Sequence, residues 1–383
     1  MLFVVKKSTK RILALNGKLI NDKRCSLLWN HVRIHVDGNV LPCCLWNSTD
    51  TLSGRYKNIP KLEDGIEAAF NSELFNNIRQ DMENGIEPEP CRVCYESENH
   101  GSIESMRTMF NKLYGFSSKK IKYIETALST HCNLACRMCN ETFSSKWFQY
   151  KNPKAKVDTS INSSILDYYD SDLSELDYIK LVGGEPMIDK NHVPFLEKLF
   201  NKSDSSISLM YHTNGTVKPS ERVLHFWKKA ERVKIDFSID GVGHVNEILR
   251  PPHKWETILE TIDYFKSIEG ANIEFGIHSV ISSGNIKHML PLIQFSMELI
   301  GKIPDVELLE FPRHLDIRNQ TKEYTEQTIK FMQENYMGFG VDDDIQYIIS
   351  TMNNSNTERF SKEDIIKIEN KHHYFDNNIS DLL

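Results

Sequence analysis

The sequence predicts an α/β protein: a partial (β/α)6 parallel barrel, preceded by a small cysteine-rich α+β module and followed by a helical tail. Three observations carry this. From Ile121 onward, short strand-like runs alternate with segments of helical period six times, which calls for a parallel sheet with right-handed crossovers. The eight cysteines fall into two groups, five before residue 100 and three in one loop at 132–139. Glycine-containing polar turns close several of the predicted strands at their carboxyl ends, where chemistry gathers in such sheets.

The 383 residues are 40% hydrophobic and 26% charged, ordinary values for a globular chain with a sizeable core. A net charge of −7 gives no general attraction for nucleic acid. No stretch approaches the roughly 20 apolar residues of a membrane span. Met1 to Ile20 mixes lysines with short apolar runs and lacks the apolar core of a signal peptide. The expected location is the cytoplasm, where clustered cysteines stay reduced and point to metal ligation rather than disulfides.

The elements follow in order. Residues 1–118 form the N-terminal module. In it Val32, Ile34 and Val36 alternate, Asp37-Gly38 turns, and Val40 and Leu41 return, a hairpin that brings Cys25 and Cys43 towards one end. A polar stretch from Phe116 to Lys120 marks the boundary. The barrel occupies 119–319. Its strands are predicted at Ile121–Leu128, Tyr178–Val182, Ile207–Thr213, Val233–Ile239, Ile273–Ile277 and Val306–Phe311. The third alternates Leu209 and Tyr211 with Met210 and His212, and the fourth alternates Val233, Ile235 and Phe237 with Lys234, Asp236 and Ser238. Between them, Val193, Leu196 and Phe200, then Val223, Phe226, Trp227 and Ala230, then Trp255, Ile258, Leu259 and Ile262 mark helix faces, and Ile286–Ile300 gives another helix. The tail, 320–383, predicts helices at Gln327–Tyr336, Ile345–Met352 and Lys362–Lys371.

Cys132, Cys136 and Cys139 sit in a Cys-x3-Cys-x2-Cys run after the first barrel strand. Thiolates at this spacing hold one compact metal centre from a single loop, and three of them leave a coordination position open. A zinc loop completed by His131 is the alternative. Gly183-Gly184-Glu185-Pro186 follows the second strand; its glycines permit close backbone approach, and Glu185 can accept from an ammonium group. Thr213-Asn214-Gly215-Thr216 closes the third strand and Ser238-Ile239-Asp240-Gly241 the fourth, each offering short polar side chains, with Arg250 shortly after. Histidines His212, His278 and His314, with Glu310 and Arg313, are candidates for substrate contact or proton transfer.

The Cys-x3-Cys-x2-Cys run and the Gly-Gly-Glu-Pro turn resemble the signature of the radical S-adenosylmethionine superfamily. The resemblance implies that Cys132, Cys136 and Cys139 hold a [4Fe–4S] cluster whose fourth iron is chelated by S-adenosylmethionine. It implies cofactor contacts from Gly183, Gly184 and Glu185, from Thr213 and Asn214, from Ser238 and Asp240, and from Arg250 to the carboxylate. Met138 is expected against the adenine, with the backbone around Ile281 closing the other side. Cys25, Cys43, Cys91 and Cys94, with Cys44 as a spare thiol, resemble the twitch or SPASM module, which carries an auxiliary iron–sulfur cluster; a zinc knuckle has the same donor set. In most such proteins that module follows the barrel, and here it precedes it.

The implied chemistry is reductive cleavage of S-adenosylmethionine, with flavodoxin or ferredoxin as electron donor, and hydrogen-atom abstraction from substrate. A peptide or protein side chain, oxidised or cross-linked, is the first expectation, because relatives with this module often modify ribosomal peptides. A small metabolite such as a sugar or aminocyclitol is the second, and RNA the third. A non-enzymatic zinc or iron–sulfur protein is the alternative of another class.

Overall fold

The computed structural model describes residues 23–46, 54–99, 105–116, 119–156, 175–202, 206–268, 270, 272–338, 341–353, 359–371 and 379–383. The readings made on Met1 to Ile20 and on Ser117 and Ser118 of the boundary lie outside them. One sheet of eight strands organises the described chain: β1 (His31–Ile34), β2 (Val40–Leu41), β3 (Tyr123–Ala127), β4 (Tyr178–Val182), β5 (Ser208–Thr213), β6 (Arg232–Ser238), β7 (Ile273–Ile281) and β8 (Asp305–Leu308). Their order is β2-β1-β3-β4-β5-β6-β7-β8. Strands β3 to β8 are the six of the predicted barrel, all parallel.

The first two strands are the predicted hairpin, antiparallel with Ile34 opposite Val40. Its first strand also pairs parallel with β3, from His31 opposite Tyr123 to Ile34 opposite Thr126. The cysteine-rich module is therefore continuous with the barrel sheet. Local sequence could not reveal this, because the pairing joins residues about ninety positions apart. His31 seals the joint: its ring stacks on Tyr123 and its Nδ1 lies 3.0 Å from the Tyr123 carbonyl.

Helices α1 (Leu27–Asn30), α2 (Ile66–Phe70), α3 (Glu73–Glu83), α4 (Arg92–Asn99) and α5 (Met106–Leu113) complete the module. Crossover helices α6 (Ser145–Lys151), α7 (His192–Lys202), α8 (Glu221–Lys229), α9 (His244–Leu249), α10 (Trp255–Ser267) and α11 (Met289–Ile300) follow. The tail forms α12 (Lys322–Asn335), α13 (Asp342–Asn353) and α14 (Lys362–Glu369), close to the predicted spans. Ser220 and Thr321 start α8 and α12 by accepting the N–H of Val223 and Tyr324.

Alternation divides the sheet into two unlike faces. Ile179, Leu181, Leu209, Tyr211, Val233, Ile235 and Phe237 are almost wholly buried on one face, against Leu196, Trp227, Ile262 and Phe265 of the helices. Each such side chain contributes about 1.5–3 kcal/mol by leaving water. The other face carries Arg33, Glu125, Lys180, Met210 and Lys234 in one register row, and His212 and Asp236 in the next. The sheet curls towards this polar face: the rings of His212 on β5 and His278 on β7, two strands apart, have centroids only 4.8 Å from each other. The polar face thus lines a lumen. A second apolar cluster joins Ile248 and Leu249 of α9 to Tyr324, Ile365, Ile379 and Leu382 of the tail, with Met138 packed on its side. The tail therefore covers the flank of the cysteine loop.

Candidate active site

The Cys132–Cys139 loop leaves the end of β3 and is fastened on all sides. Ser145 at the start of α6 accepts from the Cys132 N–H at 3.0 Å and donates to its carbonyl at 3.1 Å. Trp147 Nε1 donates to the Cys136 carbonyl at 2.8 Å. The Ala135 and Arg137 N–H groups donate to the carbonyls of Pro251 and Leu249, at 2.6 and 2.8 Å. The buried Arg137 side chain pairs with Glu369 of α14 at 2.5 Å, and Glu369 also binds His314 at 2.6 Å. A tail carboxylate thus holds the cysteine loop, and His314 serves that tie.

Burial first, and then the neighbouring thiols, push Cys132 up to about 12 and Cys139 higher still. Burial also raises Cys136, opposed by the guanidinium of Arg250, whose NH1 lies 3.8 Å from the Cys136 sulfur. Arg250 is aimed by Asp240, which accepts from its Nε at 2.6 Å. The other Asp240 oxygen accepts from the Val280 N–H at 2.8 Å, so this wholly buried carboxylate positions Arg250 with both oxygens engaged. Three mutually sensed thiols beside a fixed cation suit a site that binds as thiolates. Among the described residues no three His, Cys, Asp or Glu side chains converge where a single ion would sit. A cubane cluster requires something different, since each thiolate binds its own iron.

The Gly-Gly-Glu-Pro turn clasps this loop. The Gly184 N–H donates to the Ser129 carbonyl at 3.1 Å, and the Glu185 N–H to the His131 carbonyl at 2.7 Å. A Cβ on Gly184 would stand 2.1 Å from the His131 oxygen, so the close approach here is made by the cysteine loop itself. Gly183 adopts φ +102°, a conformation that favours glycine. The Glu185 carboxylate turns inward and is buried. It accepts from Met187 N–H (3.0 Å), Thr213 Oγ1 (2.8 Å) and Asn214 N–H (2.7 Å), while burial raises it to about 7. It ties the end of β4 to the end of β5.

Asn214 belongs to a knot absent from the sequence reading. Its Nδ2 donates to Asn133 Oδ1 at 2.9 Å, its Oδ1 accepts from Thr216, and Asn133 Nδ2 reaches Thr216 Oγ1 at 2.8 Å. Ser238, half-buried at the end of β6, has no side-chain partner among the described residues, which leaves its hydroxyl available to a ligand. Ile281 is a core side chain, and its carbonyl accepts from the Leu309 N–H at 2.9 Å.

The second thiol group lies at the module. Cys91 ends a 3-10 turn and Cys94 lies in the first turn of α4, three residues on, so both project to one side. Burial, followed by Cys44, Cys91, Cys94 and Cys25, raises Cys43, which places Cys43 within the four-thiol group. The Cys44 thiol donates to Met106 Sδ of α5 at 3.5 Å, and after burial its strongest influences are Glu125, Lys180 and Arg33 of the lumen. Arg107, chelated by Glu98 at 3.0 and 2.5 Å, opposes the rise of Cys25, Cys91 and Cys94. Each thiol group therefore has one arginine held nearby by a carboxylate.

Residues 126–296 match the model of the radical SAM superfamily, and residues 25–95 match an iron–sulfur cluster-binding domain, SPASM. This chain carries a radical SAM domain and a SPASM domain. Its SPASM domain precedes the radical SAM domain in sequence. The cofactors of such a chain are a [4Fe–4S] cluster with S-adenosylmethionine and an auxiliary iron–sulfur cluster, and both thiol groups fit them in donor type and setting.

An uncharacterized protein of Methanocaldococcus jannaschii is 24% identical over 210 residues, 53% of this chain and 69% of that protein. The GTP 3′,8-cyclase of Alkaliphilus oremlandii is 25% identical over 201 residues, 50% of this chain and 58% of the cyclase. Among solved structures, anSMEcpe with bound AdoMet aligns at 17% identity and TM-score 0.42, covering 63% of each chain. Streptococcus suis SuiB bound to S-adenosylmethionine aligns at 13% identity and TM-score 0.36, covering 86% of this chain and 69% of SuiB. No described helix is long and apolar enough to cross a membrane.

Proposed function

We propose that this radical SAM protein removes a hydrogen atom from a peptide or protein side chain and oxidises or cross-links it. In this reading Cys132, Cys136 and Cys139 ligate the [4Fe–4S] cluster that S-adenosylmethionine completes, and Cys25, Cys43, Cys91 and Cys94 ligate the auxiliary cluster. The observation that carries it is the shared opening: the fastened three-thiol loop, with Arg250 against Cys136, stands at the carboxyl ends of strands whose polar face lines a lumen. When bound, these groups supply a 5′-deoxyadenosyl radical and an electron acceptor, with flavodoxin or ferredoxin as donor.

The chain's own residues do the rest. Arg250, aimed by Asp240, offsets thiolate charge and faces the cofactor side. Ser238 offers a free hydroxyl, and Asn214 with Asn133 fixes the adjoining loop. Glu185 and Gly184 set the loop's distance from β4. The curled sheet, the module at one edge and the tail on the flank exclude water from a reactive carbon centre. A substrate that yields a hydrogen atom and then one electron is oxidised by two electrons, which suits a second, fully ligated site. The SPASM module supports a peptide substrate.

The test is anaerobic reconstitution, a strong reductant and chromatography of 5′-deoxyadenosine. Wild-type protein should form it slowly even without substrate, and Cys136→Ala should form none. Fully loaded wild-type protein that forms none with any peptide tried would end this reading.

A further inference from the structure

The lumen contains two buried groups that the cofactor chemistry does not use. Lys180 on β4 is nearly buried, and its only partner among the described residues is Glu125, at 3.4 Å. Glu125 is shared with Arg33, whose Nε lies 3.1 Å away. Two cations share this one carboxylate, which leaves ammonium donors to spare. Burial pushes the Glu125 carboxyl up, but Lys180 and then Arg33 outweigh it and bring it to about 2, so it is ionised at neutral pH.

Two strands away, Asp236 on β6 is 1% exposed. Its Oδ2 accepts from Lys234 at 2.7 Å, while its Oδ1 has no partner among the described residues. Gly276 beside it makes room: a Cβ there would stand 2.1 Å from that same Oδ1. A buried carboxylate oxygen left without a donor is costly unless a ligand supplies one. Lys180 and Asp236 stand two strands and two residues of register apart, which puts their backbones about 12 Å apart with both side chains on the lumen face. His212 lies between them, and burial first and Lys180 next keep it neutral, so it adds no competing charge.

We propose that the lumen recognises a carboxylate with a neighbouring N–H, the carboxylate on Lys180 and Arg33 and the N–H on Asp236 Oδ1. A peptide's C-terminal residue and a free amino acid share this chemistry. The inference rests on the radical-enzyme reading above and names the substrate class of its site.

The test is calorimetric titration of the cluster-loaded protein with tri-alanine, its C-terminal amide, alanine and methyl phosphate. Tri-alanine should bind saturably and the amide at least ten-fold more weakly. Alanine matching tri-alanine assigns the site to free amino acids, and alanine failing assigns it to a peptide C-terminus; either supports the class. The Lys180→Met variant, in which Glu125 keeps Arg33 as its partner, and Asp236→Asn should each lose at least ten-fold while keeping the wild-type circular-dichroism spectrum. Absent binding of both tri-alanine and alanine, equal binding of acid and amide, methyl phosphate binding as well as tri-alanine, or folded variants that bind normally would overturn the proposal. The same wild-type preparation is assayed for 5′-deoxyadenosine. Binding without that product would remove the radical reading and leave this one, and product without binding would do the reverse.

Discussion

Replacing Gly184 with Ala tests whether the Gly-Gly turn exists to seat the cysteine loop. The added Cβ would stand 2.1 Å from the His131 carbonyl oxygen and 2.6 Å from its carbon, where ordinary contact begins at 3.4 Å. Both obstructing atoms are backbone, so no rotamer change relieves the clash. The loop or the turn must move by about 1.3 Å, the difference between the first and last of those distances. Such overpacking costs roughly 1–3 kcal/mol, and bending the Glu185 N–H to His131 bond adds about 1 kcal/mol. His131 precedes Cys132, so the shift passes directly to the first thiol. Gly184→Ala should lower the urea midpoint of metal-free protein and sharply reduce iron retained after anaerobic reconstitution. Gly301→Ala is the control: at φ +65° with nothing within 4 Å, it should cost about 1–2 kcal/mol and leave iron unchanged. Gly184→Ala protein with the wild-type midpoint and full iron would refute the argument.

Three further outcomes are expected. Cys43→Ala should remove about half of the iron of the doubly loaded protein, whereas Cys44→Ala should remove none; iron and sulfide analysis decides, and the reverse pattern would exchange their roles. Glu369→Ala strands the buried Arg137 without its counter-charge, which costs about 3–5 kcal/mol by urea unfolding and loosens the cluster loop although residue 369 lies in the tail; an unchanged midpoint and iron content would show the tie to be incidental. The Glu125 carboxyl is depressed from 4.5 to about 2, so its contribution is complete above pH 4.5 and is lost as pH falls towards 2. That contribution is about 3 kcal/mol at this depth of burial, and Glu125→Gln should flatten the acid limb of the stability curve over this window; parallel curves would contradict it.

Much of the fold and the thiol chemistry was legible in the sequence, because both depend on short-range pattern. The alternation in Val233 to Ser238 placed β6 and showed its polar second face. The spacing of Cys132, Cys136 and Cys139, with the Gly-Gly-Glu-Pro turn after the next strand, pointed to a metal loop. Cys25, Cys43, Cys91 and Cys94 pointed to a second by resemblance. What the strand-end side chains do was less legible. Glu185 and Asp240 read as ligand contacts, since a carboxylate after a parallel strand faces the opening. In the structure both turn inward, one tying β4 to β5 and the other aiming Arg250.

The sequence by itself determined the secondary structure, the six parallel units and the two groups of thiols, because local periodicity and ligand spacing follow from backbone geometry within a few residues. Only the tertiary structure decided that β1 joins the barrel sheet beside β3 and that Glu369 in the tail holds Arg137 in the cysteine loop. It alone gathered Arg33, Glu125, Lys180 and Asp236 around one lumen. These depend on contacts between residues tens to hundreds of positions apart, and on which way a buried charge must turn to find its partner.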